Sequence, residues 1–192
     1  MNNLFSFLNP LFNYIDGGKL FRQPFQLFYY LIGIVLALVQ LYGIVKVFEI
    51  VEYLKGIAYL YAFLMSIVLI VSAFITIVFW IRRAQAINID VPEDARFLAI
   101  PTVGGLIITI GEYLGIVGSF VTFCMGILSA IILPFAYKYG GGEVFLSGIC
   151  LAVGGVIVSY IVLICMRLIG EQILAIGNIA NDTREIVNNT RK

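Results

Sequence analysis

The sequence contains no histidine and few charged residues, which make up 12% of the chain. Histidine is the commonest metal ligand and the side chain best suited to acid and base catalysis near neutral pH. Without it, a metal centre or a general base lacks its usual residue. A formal net charge of +1 gives no overall attraction to nucleic acid. We therefore expect no bound metal and no nucleic-acid partner.

Reactive motifs are also scarce. The three cysteines, Cys124, Cys150 and Cys165, lie in separate apolar runs and form no C-x-x-C pair, so they are expected to be packing thiols. No P-loop, G-x-S-x-G, H-E-x-x-H or dinucleotide fingerprint occurs. No apolar run combines a nucleophile with a base, or two aspartates. These absences predict no catalytic residues, no cofactor and a protein that is not an enzyme.

Apolar residues are abundant instead. They make up 61% of the chain, and the mean hydropathy is +1.04. Soluble proteins contain about half apolar and a quarter charged residues. Since about 20 apolar residues cross a bilayer as a helix, the composition predicts an all-α, polytopic membrane helix bundle. The length favours a single membrane domain over residues 1–192.

Four runs are long enough to contain a membrane-crossing helix: 27–45, 57–81, 98–135 and 144–166. Pro24 opens the first run, Gly56 precedes the second, and Arg82 with Arg83 ends the second.

The run at 98–135 is too long for one upright span, because about 38 helical residues measure ~57 Å. One arrangement has an oblique or interfacial segment at 98–111 followed by a crossing helix at about 113–133. The other is a re-entrant pair of half-helices that meet near Glu112, with their irregular backbone covered by protein or water. In the first arrangement the glycines supply a kink.

Amphipathic segments flank the four runs. Asn9 and Pro10 predict the start of a short interfacial helix at 10–16, and a disordered leader is the alternative. No basic region precedes the early apolar residues, so a cleavable signal peptide is not expected. At the other end, residues 167–190 are expected to form a cytoplasmic amphipathic helix.

The basic residues predict the orientation. With four crossings and both termini in the cytoplasm, nine basic residues lie inside and three outside, in agreement with the positive-inside rule. The inner set is Lys19, Arg22, Arg82, Arg83, Arg96, Arg167, Arg184, Arg191 and Lys192, and the outer set is Lys46, Lys55 and Lys138.

A row of small residues marks the third run. Its members are Gly104, Gly111, Gly115, Gly118, Thr122, Gly126 and Ser129. Their spacings average about one helical turn, which places them on one face. Small residues mark packed faces in membranes, because helices there gain little from hydrophobicity and need close approach. We expect this face to pack against another helix.

Glu112 is the only carboxylate in the third run, and a charge at mid-depth costs about 2.5–3.5 kcal/mol on insertion scales. One interpretation is a proton or cation site, with Thr109, Tyr113 or Ser119 as neighbours. The other is a residue at headgroup level that is hydrated or paired with an arginine. The length of the run favours the second interpretation.

The tail carries an apolar seam of period 3.5, formed by Ile169, Ile173, Ile176, Ala180, Thr183 and Val187. This seam is suited to joining like subunits or docking a partner helix. Packing on the chain's own inner loop or on the membrane surface is the alternative.

Three segments resemble small bacterial inner-membrane proteins of unassigned function: N-P-L-F-N-Y-I-D-G-G-K-L-F-R-Q-P-F, G-E-Y-L-G and R-L-I-G-E-Q-I-L-A-I-G-N-I-A-N-D-T-R-E-I. The three segments together comprise 42 of the 192 residues. It implies a four-span protein of the bacterial cytoplasmic membrane and assigns no functional residue.

The sequence therefore favours a non-enzymatic membrane scaffold or accessory subunit. We expect it to self-associate or to bind a membrane partner through its glycine-lined spans and its tail. The alternative is a small channel or ion-coupled transporter that uses Glu112.

Overall fold

The computed structural model describes residues 19–52, 56–90, 99–136 and 140–190. The predicted helix at 10–16 lies outside these residues. The described part is helical and contains no strand. Its elements are α1 (Lys19–Glu52), α2 (Ala58–Asp90), α3 (Ala99–Tyr113), a π-helical turn (Leu114–Gly118), α4 (Ser119–Ile132), a 3₁₀ turn (Leu133–Phe135) and α5 (Gly141–Thr190). We call the continuous segment from α3 through α4 the third crossing.

Four helical stretches are long and apolar enough to cross a membrane: Pro24–Glu52, Ala58–Ala86, Ile100–Phe135 and Gly141–Ala180. The predicted all-helical architecture with four apolar spans is confirmed at this level, and it indicates a multi-pass membrane protein. The first, second and fourth helices extend beyond the runs read from the sequence, whereas the third segment, from Ala99 to Phe135, stays within its run at 98–135. The predicted span at 144–166 and the tail at 167–190 form a single 50-residue helix.

The helices form two antiparallel hairpins, α1 with α2 and the third crossing with α5. The second helix of each hairpin follows a glycine with positive φ, which is 61° at Gly56 and 81° at Gly140. Other residues rarely adopt this conformation. In the first hairpin Gly33 lies against Trp80, where an added Cβ would come within 2.7 Å of the tryptophan Cβ.

The two hairpins meet where α2 packs against the third crossing. Within the described residues, α5 makes no extensive contact with α1 or α2. The helices therefore form a row in the order α1, α2, third crossing, α5. Two buried clusters lie along α2, one around Tyr61 and Met65 and the other around Trp80.

The third crossing is helical throughout and does not reverse. Tyr113 and Ser119, which flank the π-helical turn, both have α-helical dihedral angles. Contacts with α5 progress in one antiparallel series, from Ile100 with Gly177 to Ala130 with Gly148. Within residues 99–136 the chain thus forms no re-entrant pair of half-helices, and α3 packs beside α5 as α4 does. With 50 residues, α5 is long enough to accompany the whole crossing.

Candidate functional site

Glu112 forms an ion pair with Arg83 of α2. The arginine Nη2 donates to Oε2 of the glutamate, and the side chains are 18% exposed for Glu112 and 40% exposed for Arg83. The arginine guanidinium also lies 5.8 Å from the ring centre of Phe79. The carboxylate of the third crossing is therefore neutralised by the neighbouring hairpin.

Helical phase explains why Arg83 rather than Arg82 is the partner. Arg83 lies three residues after Trp80 and four after Phe79, so the three side chains share one face of α2. Trp80 is buried against the third crossing, whereas Arg82 is exposed. In the sequence, the feature that indicates Arg83 as the partner is its position three residues after Trp80.

A second polar group joins three helices around Gln40 of α1. Its Nε2 donates to the Tyr113 hydroxyl at 2.8 Å and to Oγ1 of Thr76 at 3.0 Å. Its Oε1 lies 3.1 Å from Oγ of Ser72. Ser72 and Thr76 are 0% exposed. Buried polar groups must be hydrogen-bonded to avoid a large desolvation cost, and this amide satisfies groups on both hairpins.

Aromatic rings fill the space beside these polar groups. The Trp80 ring centre lies 5.4 Å from that of Tyr29 and 5.8 Å from that of Tyr113. The Tyr29 side chain lies beside Thr109. Trp80 is 1% exposed, and its indole nitrogen has no hydrogen-bond partner in the described part of the chain. We call Gln40, Ser72, Thr76, Trp80, Arg83, Glu112 and Tyr113 the inter-hairpin cluster.

The proton-site interpretation expects Thr109 and Tyr113 to be neighbours of Glu112, but both side chains hydrogen-bond to other groups. Tyr113 bonds to Gln40, and Thr109 donates to the backbone oxygen of Gly105 at 2.8 Å. Among the described residues, no group of three histidine, cysteine, aspartate or glutamate side chains is placed to hold a metal ion. The chemistry of the cluster is therefore hydrogen bonding and ion pairing.

The small residues of the third crossing face α5. Five of them meet successive partners: Gly104 meets Gly170, Gly111 meets Met166, Gly115 meets Leu163, Gly118 meets Ser159, and Gly126 meets Ala152. A Cβ added at Gly126 would lie 2.6 Å from the Ala152 Cα, so backbone approaches backbone. Thr122 packs similarly against Gly155.

Ser129 departs from the predicted row. Its hydroxyl donates to the backbone oxygens of Met125 and Gly126 on its own helix and lies beside Tyr61 of α2, while Ala130 is the residue that meets Gly148 of α5. The sequence alone also does not show which glycines of α5 pack against which residues of the third crossing. Gly148, Gly155 and Gly170 each lie opposite a residue of the third crossing.

The predicted tail seam is only partly covered by the chain itself. Ile169, Ile176, Thr183 and Val187 are exposed, whereas Ile173 and Ala180 are half-buried. The contact with α3 is made by the adjacent face, through Gly170, Leu174 and Gly177.

Two further isoleucines, Ile179 and Ile186, are each 64% exposed, and neither belongs to the predicted seam. They lie on the uncovered side of the tail. The two isoleucines are seven residues apart, which is the sequence feature that places them on one face of the helix.

The cysteines were expected to be packing residues, and the structure places them otherwise. Cys150 and Cys165 are exposed on α5, and Cys124 is half-buried on α4. Cys165 belongs to the same uncovered side of α5 as the exposed isoleucines. Its thiol is consequently accessible to a neighbouring chain.

No protein-family model, curated protein or solved structure matches the chain. The function must therefore be argued from the geometry alone.

Proposed function

We propose that the protein is a non-enzymatic scaffold or accessory subunit that self-associates in the membrane. The main support is the exposure of α5, which packs on one neighbouring helix. Only 6% of the residues in the most apolar part of α5 are buried, compared with 33% in the corresponding part of α2. A helix at the end of a row leaves most of its circumference for lipid or for another chain.

The inter-hairpin cluster supports a structural role. Arg83 neutralises Glu112, and the Gln40 amide bonds to Tyr113 and Thr76. Side-chain hydrogen bonds of this kind hold membrane helices together. The carboxylate of Glu112 and the amide of Gln40 therefore serve to join the two hairpins.

We place the protein in the bacterial cytoplasmic membrane with both termini inside. The nine-to-three distribution of basic residues supports this orientation, and the resemblance described above supports the location. Single cysteines at Lys19 and Lys138 in a chain without its native cysteines test the orientation. A membrane-impermeant maleimide added to intact cells should label position 138 and spare position 19. The reverse pattern would contradict the proposal.

Native mass spectrometry of the whole chain in lipid nanodiscs tests self-association. We expect dimers or larger assemblies, and we expect mild crosslinking in membranes to give the same species. A monomeric four-span protein at the same protein-to-lipid ratio is the control for chance co-occupancy. Monomers alone, with no crosslinked partner, would refute the proposed function.

A small channel or ion-coupled carrier is the second candidate. It is favoured by the Arg83–Glu112 pair lying in the same interface as the hydroxyl and amide groups of the inter-hairpin cluster. Proton and cation flux into liposomes should then fall in Glu112→Gln. Glu143→Gln is the matched control, because Glu143 is exposed in the first turn of α5. Equal flux in wild type and Glu112→Gln would exclude this candidate.

A further inference from the structure

One side of the α5 tail carries an uninterrupted exposed line. Its members are Ile169, Gln172, Ile176, Ile179, Thr183, Ile186 and Thr190, all of them exposed. The spacings alternate between three and four residues, which is the period of a coiled-coil seam. Ile176 is 61% exposed, and Ile179 and Ile186 are each 64% exposed. This line differs from the predicted seam because Ile173 and Ala180 lie toward the chain's own α3.

The exposed side chain of Ile186 requires a cover outside the lipid. The apolar stretch of α5 ends at Ala180, and Ile186 lies beyond it. Full burial of an isoleucine side chain is worth about 1.5–3 kcal/mol relative to exposure. The chain covers the opposite side of the tail, through Gly170 and Gly177, but not this line.

The chemistry of the line fits a second copy of the same line. Its polar members are an amide and two hydroxyls, each both donor and acceptor, so each can hydrogen-bond to its own equivalent. No charged residue belongs to the line, so like charges do not oppose each other across the seam. Arg167 and Glu171 already pair with each other at 2.9 Å.

Membrane insertion supplies the alignment. Two copies with the same orientation present their tails in parallel and at the same height. Confinement in one bilayer raises their effective concentration, which compensates for a seam of about three heptads.

The exposed face also continues into the apolar part of α5. At spacings of three or four residues, Ser147, Leu151, Val158, Ile161 and Cys165 are exposed, and Gly154 between them is half-buried. An added Cβ at Gly154 would have no neighbour within 4 Å. The tail line is therefore the end of one uncovered face that runs along the whole helix.

We infer that this face binds the same face of a second copy, and that the two tails form a parallel two-stranded coiled coil. The inference rests on the proposed self-association and names the surface responsible for it. It commits to a like chain rather than a different partner.

Disulfide mapping in membranes tests the inference. In a chain without its native cysteines, Ile176→Cys, Ile179→Cys and Thr183→Cys are each oxidised with copper phenanthroline. We expect covalent dimers in all three, at least fivefold more than in the matched control Asn178→Cys, which is exposed but off the line.

A second experiment does not depend on disulfide geometry. Ile176→Asn combined with Ile179→Asn should reduce the dimer fraction in nanodiscs at least fivefold. The circular dichroism spectrum should not change, because both side chains are exposed in the monomer. Asn178→Ala is the control.

The outcomes separate the two proposals. Crosslinking confined to the line, together with loss of dimers in the double variant, supports the inference. Crosslinking at 178 equal to that at 176 and 179, or absent at all of them, would overturn it. If dimers nevertheless persist, self-association uses another surface and the proposed function stands. If wild type is monomeric, both fail.

Discussion

The third crossing contacts its two neighbours in opposite ways. Against α5 it presents glycines, and at Gly126 the two backbones approach so closely that an added Cβ would lie 2.6 Å from the Ala152 Cα. Against α2 it presents large and polar side chains, with the Tyr113 and Trp80 ring centres 5.8 Å apart. The Arg83–Glu112 pair lies in this second interface.

The difference shows two ways to join helices in a solvent as apolar as the helices themselves. Lipid removes most of the hydrophobic preference for helix contact, which leaves van der Waals packing and polar bonds. The α5 interface uses packing over a long line. The α2 interface uses a few specific bonds among aromatic rings. Substitutions should therefore damage the two interfaces through volume in one and through charge or hydrogen bonding in the other.

The largest effect is expected from Gly126→Ala. The new methyl group would meet the backbone of Ala152, which cannot rotate away, and overpacking of this kind costs about 2–3 kcal/mol. The free energy of unfolding in bicelles, measured by steric trapping, should fall by this amount. Gly154→Ala is the control, since its methyl group meets nothing within 4 Å. Equal effects at the two positions would contradict the backbone-contact description of the α5 interface.

An intermediate effect is expected from Glu112→Gln or Arg83→Gln. Either change leaves one partly buried charge without its partner. Breaking a fully buried pair costs about 3–5 kcal/mol, and because Arg83 is 40% exposed we expect about 1–2 kcal/mol. The same unfolding measurement applies.

The double variant sharpens this test. Removal of both charges leaves no unpaired ion, so it should be more stable than either single variant. The exposed pair Arg167–Glu171 is the control, and neutralising either member should change stability by less than about 0.5 kcal/mol. A double variant as unstable as the sum of the singles would argue against a direct pair.

The smallest effect is expected from Gln40→Leu. It removes the amide that joins the hairpins, but Ser72 and Thr76 retain backbone acceptors at 3.0 and 2.8 Å. Measured interhelical hydrogen bonds in membranes average about 0.6 kcal/mol, and we expect a loss of that size. Gln85→Leu, at an exposed position of α2, is the control. A loss above about 2 kcal/mol would mean that Gln40 has a larger role than three hydrogen bonds give it.

The composition and the long apolar runs were enough to predict four helical spans, because bilayer thickness fixes the length of a crossing. The sequence could also group Gly104 through Gly126 on one face, since their spacing is local. It could not identify α5 as the helix opposite, because both hairpins contain glycines. Nor could it choose between Arg82 and Arg83 for Glu112, because that choice depends on how α2 is rotated against the third crossing.

The tail illustrates a different limit. Periodicity showed that an apolar seam exists, but residues one position apart lie about 100° apart on a helix. Ile173 turned out to lie toward α3, whereas Ile179 is exposed. Which line of a tail is free depends on the contacts of the rest of the molecule. That information is not local to the tail.

The π-helical turn at Leu114–Gly118 sets the rotation of one half of the third crossing relative to the other. From Gly104 to Ala130 the chain advances 26 residues, about 7.2 turns at α-helical pitch, which would aim Ala130 roughly 80° away from α5. A π-helical turn absorbs about one extra residue, and the remaining 25 residues make close to seven whole turns. The π-helical turn thus keeps the small residues before and after it on the side that faces α5. The same number of residues wound entirely as α-helix would rotate the α4 half by about 80° and turn Gly126 away from Ala152, whereas deletion of one residue at the turn would leave a regular helix with Gly126 still facing α5.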